Sequence, residues 1–118
     1  MPDALELLKT RRSVKAMELS YPGPTAAELE TLLTVASRVP DHGKLVPWRF
    51  ILFEGEARER AGEVIASICR EQRPELTPEQ LAFERGRLTR APLVVAVVSR
   101  AGPHVKIPDW EQVLSAGA

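Results

Sequence analysis

Apolar residues recur at helical spacing in three stretches of this chain. The clearest stripe has the i, i+3, i+4, i+7 spacing of one helix face and consists of Leu29, Leu32, Leu33 and Ala36. Thr25 and Glu28 form a capping box ahead of this stripe, which places the start of a helix there. Pro40 disfavours helical geometry in the residue before it, so we predict that the helix ends near Val39 and is buried.

Start and stop signals predict four more helices. The first, over about residues 3–10, opens just after Pro2 with the capping-box spacing of Asp3 and Glu6. Another, over residues 56–72, is stopped by Pro74. Thr77 is the predicted N-cap of a fourth helix, which has a proline in its first turn. A fifth helix is predicted to open at Trp110.

Two short apolar runs have the length of β-strands. Residues 49–54 lie between Pro47 and Gly55 and are predicted to form a buried strand. Residues 93–98 are apolar at every position, so we expect both faces of a second strand to be covered, as at the centre of a sheet. Two strands cannot form a stable sheet by themselves. We therefore expect either a partner chain or further residues of a longer protein to complete it.

Composition adds limits to this pattern. At 118 residues and 44% hydrophobic content, the chain has the size of one small domain with a modest core. Its 16 basic and 16 acidic residues cancel, and aromatic residues make up 5%, so neither nucleic acid nor an anionic membrane is an expected partner. The single cysteine, Cys69, excludes an internal disulfide.

Signals for export, membrane insertion and metal binding are missing from the sequence. The N-terminus lacks the basic and then apolar pattern of a signal peptide, and no apolar run approaches the roughly 20 residues of a membrane span. We therefore expect a soluble, cytoplasmic protein. Two isolated histidines and one cysteine do not supply three or four ligands at metal spacing, so no metal site is expected.

A polar loop connects the second predicted helix to the first strand, over residues 39–50. It contains two prolines and a glycine, which are loop signals, together with Asp41, His42, Lys44 and Trp48. These residue types are typical of loops that line a ligand, although a solvated connector is the more common role of such a stretch.

A second polar stretch, Arg11-Arg12-Ser13-Val14-Lys15, places three cations and a hydroxyl within five residues. One interpretation is a solvated turn whose charge suits the negative end of the first helix. The other is a phosphate clamp, because guanidinium groups bind phosphate oxygens bidentately and a serine hydroxyl can donate to a remaining oxygen. The pattern alone leaves both interpretations open.

Two common functional arrangements are not supported. Ser13, His42 and Asp41 could form a hydrolase triad only if the side chains of two adjacent residues converged, and no nucleophile elbow is present. No Gly-x-Gly-x-x-Gly follows either predicted strand, so a Rossmann dinucleotide site is not expected.

Seven short motifs occur in order between Ala4 and Gly117. They are Ala-Leu-Glu-Leu-Leu, Arg-Arg-Ser, Arg-x-Pro-Asp-His, Pro-Trp, Glu-Gly-Glu-x-Arg-Glu-Arg, Arg-Ala-Pro-Leu and Pro-x-Trp-Glu-Gln-x-x-Ser-Ala-Gly. In this order and spacing they resemble the N-terminal half of the nitroreductase family, most closely its small bacterial NAD(P)H nitroreductases. The resemblance covers essentially the whole chain.

The resemblance implies an α+β, nitroreductase-like fold, with helices around a small mixed sheet, and an intertwined homodimer that holds FMN at the subunit interface. It also implies an FMN-dependent oxidoreductase that passes hydride from NAD(P)H through the flavin to a nitroaromatic, quinone or similar small-molecule acceptor. Because the flavin carries this chemistry, no catalytic side chain is assigned.

Six FMN-binding residues are implied by the same resemblance. They are Arg11, Arg12, Ser13, Lys15, Arg38 and His42. The first three would bind the phosphate and ribityl chain. Lys15 would approach the pyrimidine edge of the flavin, where a cation stabilises negative charge on the reduced ring. Arg38 and His42 match positions that contact FMN in the bacterial branch, His42 from the partner subunit.

The chain departs from the family in two ways. Lys44 and Val46 stand where many members have an Asn and a Gln that contact the flavin. Members also continue beyond the Ser-Ala-Gly motif, so we expect residues 1–118 to be the N-terminal portion of a nitroreductase-like domain, in truncated form. Two alternatives remain: a non-catalytic flavin-binding or dimerisation fragment, and a small interaction domain whose cationic turn binds a phosphorylated partner.

Overall fold

The computed structural model describes residues 3–118, so Pro2, expected just ahead of the first helix, lies outside the described residues. The helices and strands are α1 (Ala4–Thr10), α2 (Ala26–Ala36), β1 (Trp48–Glu54), α3 (Glu56–Gln72), α4 (Pro78–Arg85), β2 (Leu93–Ser99) and α5 (Asp109–Gly117). Helix α3 packs against α4 and against β1, and α5 packs against β2. The described part of the chain is therefore α+β, as predicted.

The predicted starts of α1, α2 and α4 are confirmed by side-chain caps, whereas α3 and α5 begin without one. The Asp3 carboxylate accepts a hydrogen bond from the backbone N–H of Glu6, and both α2 and α4 begin with complete capping boxes. Helix α2 ends at Ala36, three residues before the predicted end. Its last turn is tightened because the backbone N–H of Ser37 bonds the carbonyls of both Leu33 and Thr34, which ends the regular α-helical ladder early.

The two strands pair antiparallel, with Trp48 opposite Ser99 at one end of the ladder and Glu54 opposite Leu93 at the other. Each strand is one residue longer than predicted, because the pairing of Trp48 with Ser99 extends both. In residues 3–118 the sheet contains these two strands alone. A sheet of this size cannot enclose a core by itself.

Three predictions of burial, those for α2, β1 and β2, are wrong for this chain. Residues 26–36, which form α2, include no buried side chain, and Leu32 is 55% exposed. Strand β2 is not covered on both faces, since Val97 is 53% exposed, and Trp48 is the one buried residue of β1. The physical reason is that only one helix packs against each strand, so no described element covers the remaining apolar faces.

The solvent-accessible surface area shows how much of the chain is left uncovered. The chain exposes 9259 Å², whereas a compact protein of 13.1 kDa exposes about 6,400 Å². Its radius of gyration is 17.7 Å, compared with about 13.5 Å for a compact domain of this length. Apolar surface that a compact domain would bury is therefore accessible to other protein.

Arg58 is a buried cation that joins three separate segments. Its Nη1 donates to the carbonyl of Ala91 at 2.7 Å, its Nη2 to the hydroxyl of Tyr21 at 2.7 Å, and its Nε to the carbonyl of Gly55 at 3.1 Å. The guanidinium is thus satisfied by hydrogen bonds despite its burial. Through Tyr21 it attaches the segment before α2 to the body of the protein.

No helix within residues 3–118 combines the length and the hydropathy needed to cross a membrane.

Gly62 provides a test of the α3–α4 packing. A Cβ added at Gly62 would overlap the carbonyl oxygen of Arg85, which is backbone and cannot move aside as a side chain could. We predict that Gly62→Ala lowers the free energy of unfolding by about 1–3 kcal/mol, although alanine normally favours a helix over glycine. The matched control is Gly102→Ala, since no described atom lies within 4 Å of a Cβ there. If Gly62→Ala and wild type unfolded at the same temperature, the close packing of α3 against α4 at Gly62 would be contradicted.

Glu84 on α4 provides a test of electrostatics. Hydrogen bonds from the Arg87 guanidinium lower the pKa of Glu84, and the nearby Arg73 charge adds to this effect. A lowered pKa stabilises the folded state above the ordinary value of 4.5, and this stabilisation is lost as the pH falls through the folded value. We predict that Glu84→Gln unfolds more easily than wild type at neutral pH and that the difference narrows in acid. Glu79→Gln serves as control, and a difference that grows in acid would refute the assignment.

Candidate functional site

The cationic segment after α1 is exposed over its whole length, Arg11 to Lys15. The Nη2 of Arg11 donates to the hydroxyl of Ser13 at 3.3 Å, so a guanidinium and a hydroxyl lie side by side. Within residues 3–118, no carboxylate lies within ion-pair distance of Arg11, Arg12 or Lys15. Their charges are therefore available to an anion from outside the chain.

Three arginines of the α3–α4 region differ in this respect. Arg60 pairs with a glutamate one turn away, Arg85 pairs with Glu63, and Arg87 pairs with Glu84. The whole chain carries equal numbers of acids and bases, so the segment after α1 is a local excess of positive charge. An excess of this kind favours an anionic ligand at that position.

The loop between α2 and β1 is held by its own aspartate. One oxygen of Asp41 accepts the backbone N–H of Leu45 at 3.2 Å, and the other accepts that of Val46 at 2.9 Å. Lys44 has φ 54° and Val46 has φ 47°, in the left-handed region that β-branched residues rarely adopt. Such backbone strain persists only where surrounding contacts impose it, and it clusters at functional sites.

The loop also rests on the segment before α5. Gly43 lies against Ile107, which is 4% exposed, so a side chain at Gly43 would crowd this contact. The buried side-chain amide of Gln112 accepts a hydrogen bond from the backbone N–H of Gly102 through Oε1. Its Nε2 donates to the carbonyls of Gly102 and Ile107. These bonds fix the start of α5 under the loop.

His42 reaches across to α5. Its Nδ1 lies 3.2 Å from Oε1 and 3.4 Å from Oε2 of Glu111. A cleft of about 300 Å³ opens beside this pair and is lined by Pro40, His42, Trp110, Glu111, Leu114, Ser115 and Ala118. Asp41 and Glu111 belong to the sequence motifs, but neither is among the six predicted FMN-binding residues.

The six predicted FMN-binding residues form two groups in this chain. Arg11 lies beside Ser13 in one group, with Arg12 and Lys15 adjacent in sequence. Arg38 and His42 lie near the loop before β1, and both are exposed. Within residues 3–118, no hydrogen bond or ion pair joins the two groups. Whether these six residues bind FMN stays a prediction.

His104 has a structural role. Its Nδ1 accepts the backbone N–H groups of Lys106 and Ile107, both at 3.1 Å, which orders the turn before α5. In the described part of the chain, no three His, Cys, Asp or Glu side chains are grouped so that they could hold a metal ion.

A family profile and similar curated proteins indicate the same family. The sequence profile of the Nitroreductase family matches residues 8–118. The chain is 41% identical over 116 residues to "Putative NAD(P)H nitroreductase" of Haemophilus influenzae. It is 38% identical over 117 residues to "Putative NAD(P)H nitroreductase YdjA" of Escherichia coli K12. Each match covers 98% of this chain and 61% of the relative, so the chain spans about three fifths of the length of these curated relatives.

The loop geometry yields a prediction for Asp41. Replacing Asp41 by alanine removes the acceptor for the N–H groups of Leu45 and Val46. We expect amide hydrogen exchange at these two positions to accelerate by about tenfold or more, because a hydrogen bond to a charged group contributes about 1.5–3 kcal/mol. Asp109→Ala, on the exposed first turn of α5, is the control. Unchanged exchange in Asp41→Ala would show that other contacts hold the loop.

Proposed function

This chain belongs to the nitroreductase family, and from that premise we propose that it acts in an FMN-dependent oxidoreductase. The proposed reaction passes hydride from NAD(P)H to a nitroaromatic, quinone or similar small-molecule acceptor. The names of the relatives in Haemophilus influenzae and Escherichia coli support an NAD(P)H-dependent reductase. Bound FMN would supply the hydride-transfer chemistry, and the residues of the chain would bind and orient it.

The observation that carries this proposal is the set of unpaired cations beside a hydroxyl after α1. A terminal phosphate needs several strong donors, and two guanidinium groups with a serine hydroxyl supply them. The Nη2 of Arg11 and the hydroxyl oxygen of Ser13 lie 3.3 Å apart, so one phosphate oxygen could accept a hydrogen bond from each. The donor set therefore fits the phosphate of FMN.

The remaining predicted residues would act on other parts of the cofactor. Lys15 would place its ammonium group near the pyrimidine edge, where it favours negative charge on the ring. Arg38 and His42 would complete the site from the loop before β1. Both side chains are exposed and so are accessible to a ligand.

We further propose that two copies of the chain form a homodimer with FMN at their interface. Leu5 and Leu8 of α1, and Leu32 and Val35 of α2, are each more than half exposed. Stable dimers cover apolar surface of this kind, and interfaces of intertwined subunits are large. In such a dimer, His42 of one subunit would approach the cofactor bound at the cationic segment of the other.

Flavin binding gives the direct test of the cationic segment. We expect the double variant Arg11→Gln/Arg12→Gln to bind FMN at least about tenfold more weakly per arginine lost, because each charge-assisted bond contributes about 1.5–3 kcal/mol. The control is Arg70→Gln, an exposed arginine on α3. Equal FMN affinity in the double variant, the control and wild type would refute the assignment of the phosphate site.

Reduction of the bound flavin separates catalysis from binding alone. The proposed function predicts a yellow protein whose flavin absorbance is bleached by NAD(P)H and restored by a quinone or a nitroaromatic. Retained FMN without bleaching would instead support the non-catalytic flavin-binding alternative.

A further inference from the structure

His42 and Glu111 are 69 positions apart in the sequence, yet the His42 Nδ1 lies within hydrogen-bond distance of the Glu111 carboxylate, at 3.2 Å. An ionised carboxylate can only accept hydrogen bonds. The proton of a neutral His42 ring therefore lies on Nδ1, and its Nε2 is left as an acceptor. No hydrogen bond to Nε2 is present within residues 3–118, so this atom is available to a ligand.

The backbone supports both members of the pair. On the His42 side, Asp41 binds two N–H groups of the loop, and Gly43 packs against Ile107. On the other side, Gln112 directly follows Glu111 and makes three hydrogen bonds with a side chain that is 5% exposed. The backbone segments that carry the imidazole and the carboxylate are thus both held by hydrogen bonds or packing.

We propose that Glu111 is a positioning residue that fixes the ring orientation and the Nδ1–H tautomer of His42, so that Nε2 faces the bound flavin. This inference rests on the proposed function for its flavin contact. The contact between Glu111 and His42 does not depend on that function. Glu111 itself need not touch the cofactor, because it acts through the imidazole.

The second histidine supplies an internal reference. The Nδ1 of His104 accepts two backbone N–H groups, so the proton of its neutral ring lies on Nε2. The chain contains two histidines, and the hydrogen-bond partners of their Nδ1 atoms imply opposite tautomers. Nitrogen-15 NMR distinguishes protonated from unprotonated ring nitrogens, so one spectrum contains both forms.

The first experiment records ring nitrogen spectra of the purified protein at a pH where both imidazoles are neutral. Wild type should show protonated Nδ1 for His42 and protonated Nε2 for His104. In Glu111→Ala, His42 should shift toward the Nε2–H form while His104 stays unchanged, which also shows that the turn before α5 is intact. Glu111→Gln keeps an acceptor oxygen and should retain the wild-type tautomer. A His42 that carries its proton on Nε2 in wild type, or that does not respond to Glu111→Ala, would overturn the proposal.

The second experiment measures FMN affinity in a double-mutant cycle. Glu111→Ala should weaken binding by about 2- to 10-fold, the effect of losing one hydrogen bond at a ligand contact, and Glu111→Gln should bind nearly as wild type. In a His42→Ala background, Glu111→Ala should have no further effect. An equal loss in both backgrounds would overturn the positioning role. Wild-type protein that binds no FMN would refute the proposed function and the flavin contact, whereas the tautomer result would still decide whether Glu111 orients His42.

Discussion

The antiparallel ladder between β1 and β2 is the constraint on which the rest of the structure depends. It aligns the loop before β1 with the segment after β2, and α3 and α5 each pack against one strand. Two strands enclose little volume, so the apolar core is small. Hydrogen bonds from buried polar side chains therefore help to hold the segments together. Arg58 joins three segments and Gln112 ties the loop after β2 to α5, each through hydrogen-bonded backbone groups.

Local features of the fold follow from the sequence because their causes are local. The capping boxes of α2 and α4 depend on residues three positions apart, and both are present. Burial depends on which elements lie nearby, and spacing alone does not show this. The apolar stripe of α2 correctly predicts a helix, whereas the expectation that α2 is buried fails because no described element covers it.

The candidate site likewise has parts that short motifs predict and parts that depend on the fold. Resemblance to a family predicts that the cationic segment and His42 bind the cofactor, since residue types in short motifs carry that information. The sequence does not predict the role of Asp41 in holding the loop, because its bonds to Leu45 and Val46 require backbone angles that no sequence pattern reveals. Glu111 is 69 positions from His42, so their contact becomes visible only when the strands have paired.

We propose one explanation for the exposed apolar helices and the unpaired cations, namely a flavin site formed between two copies of the chain. Native mass spectrometry of the purified protein tests this claim most directly, because it measures chain number and bound cofactor in the same particle. We predict a particle of two chains that carries FMN. Single chains without flavin, at a protein concentration where stable dimers persist, would contradict it.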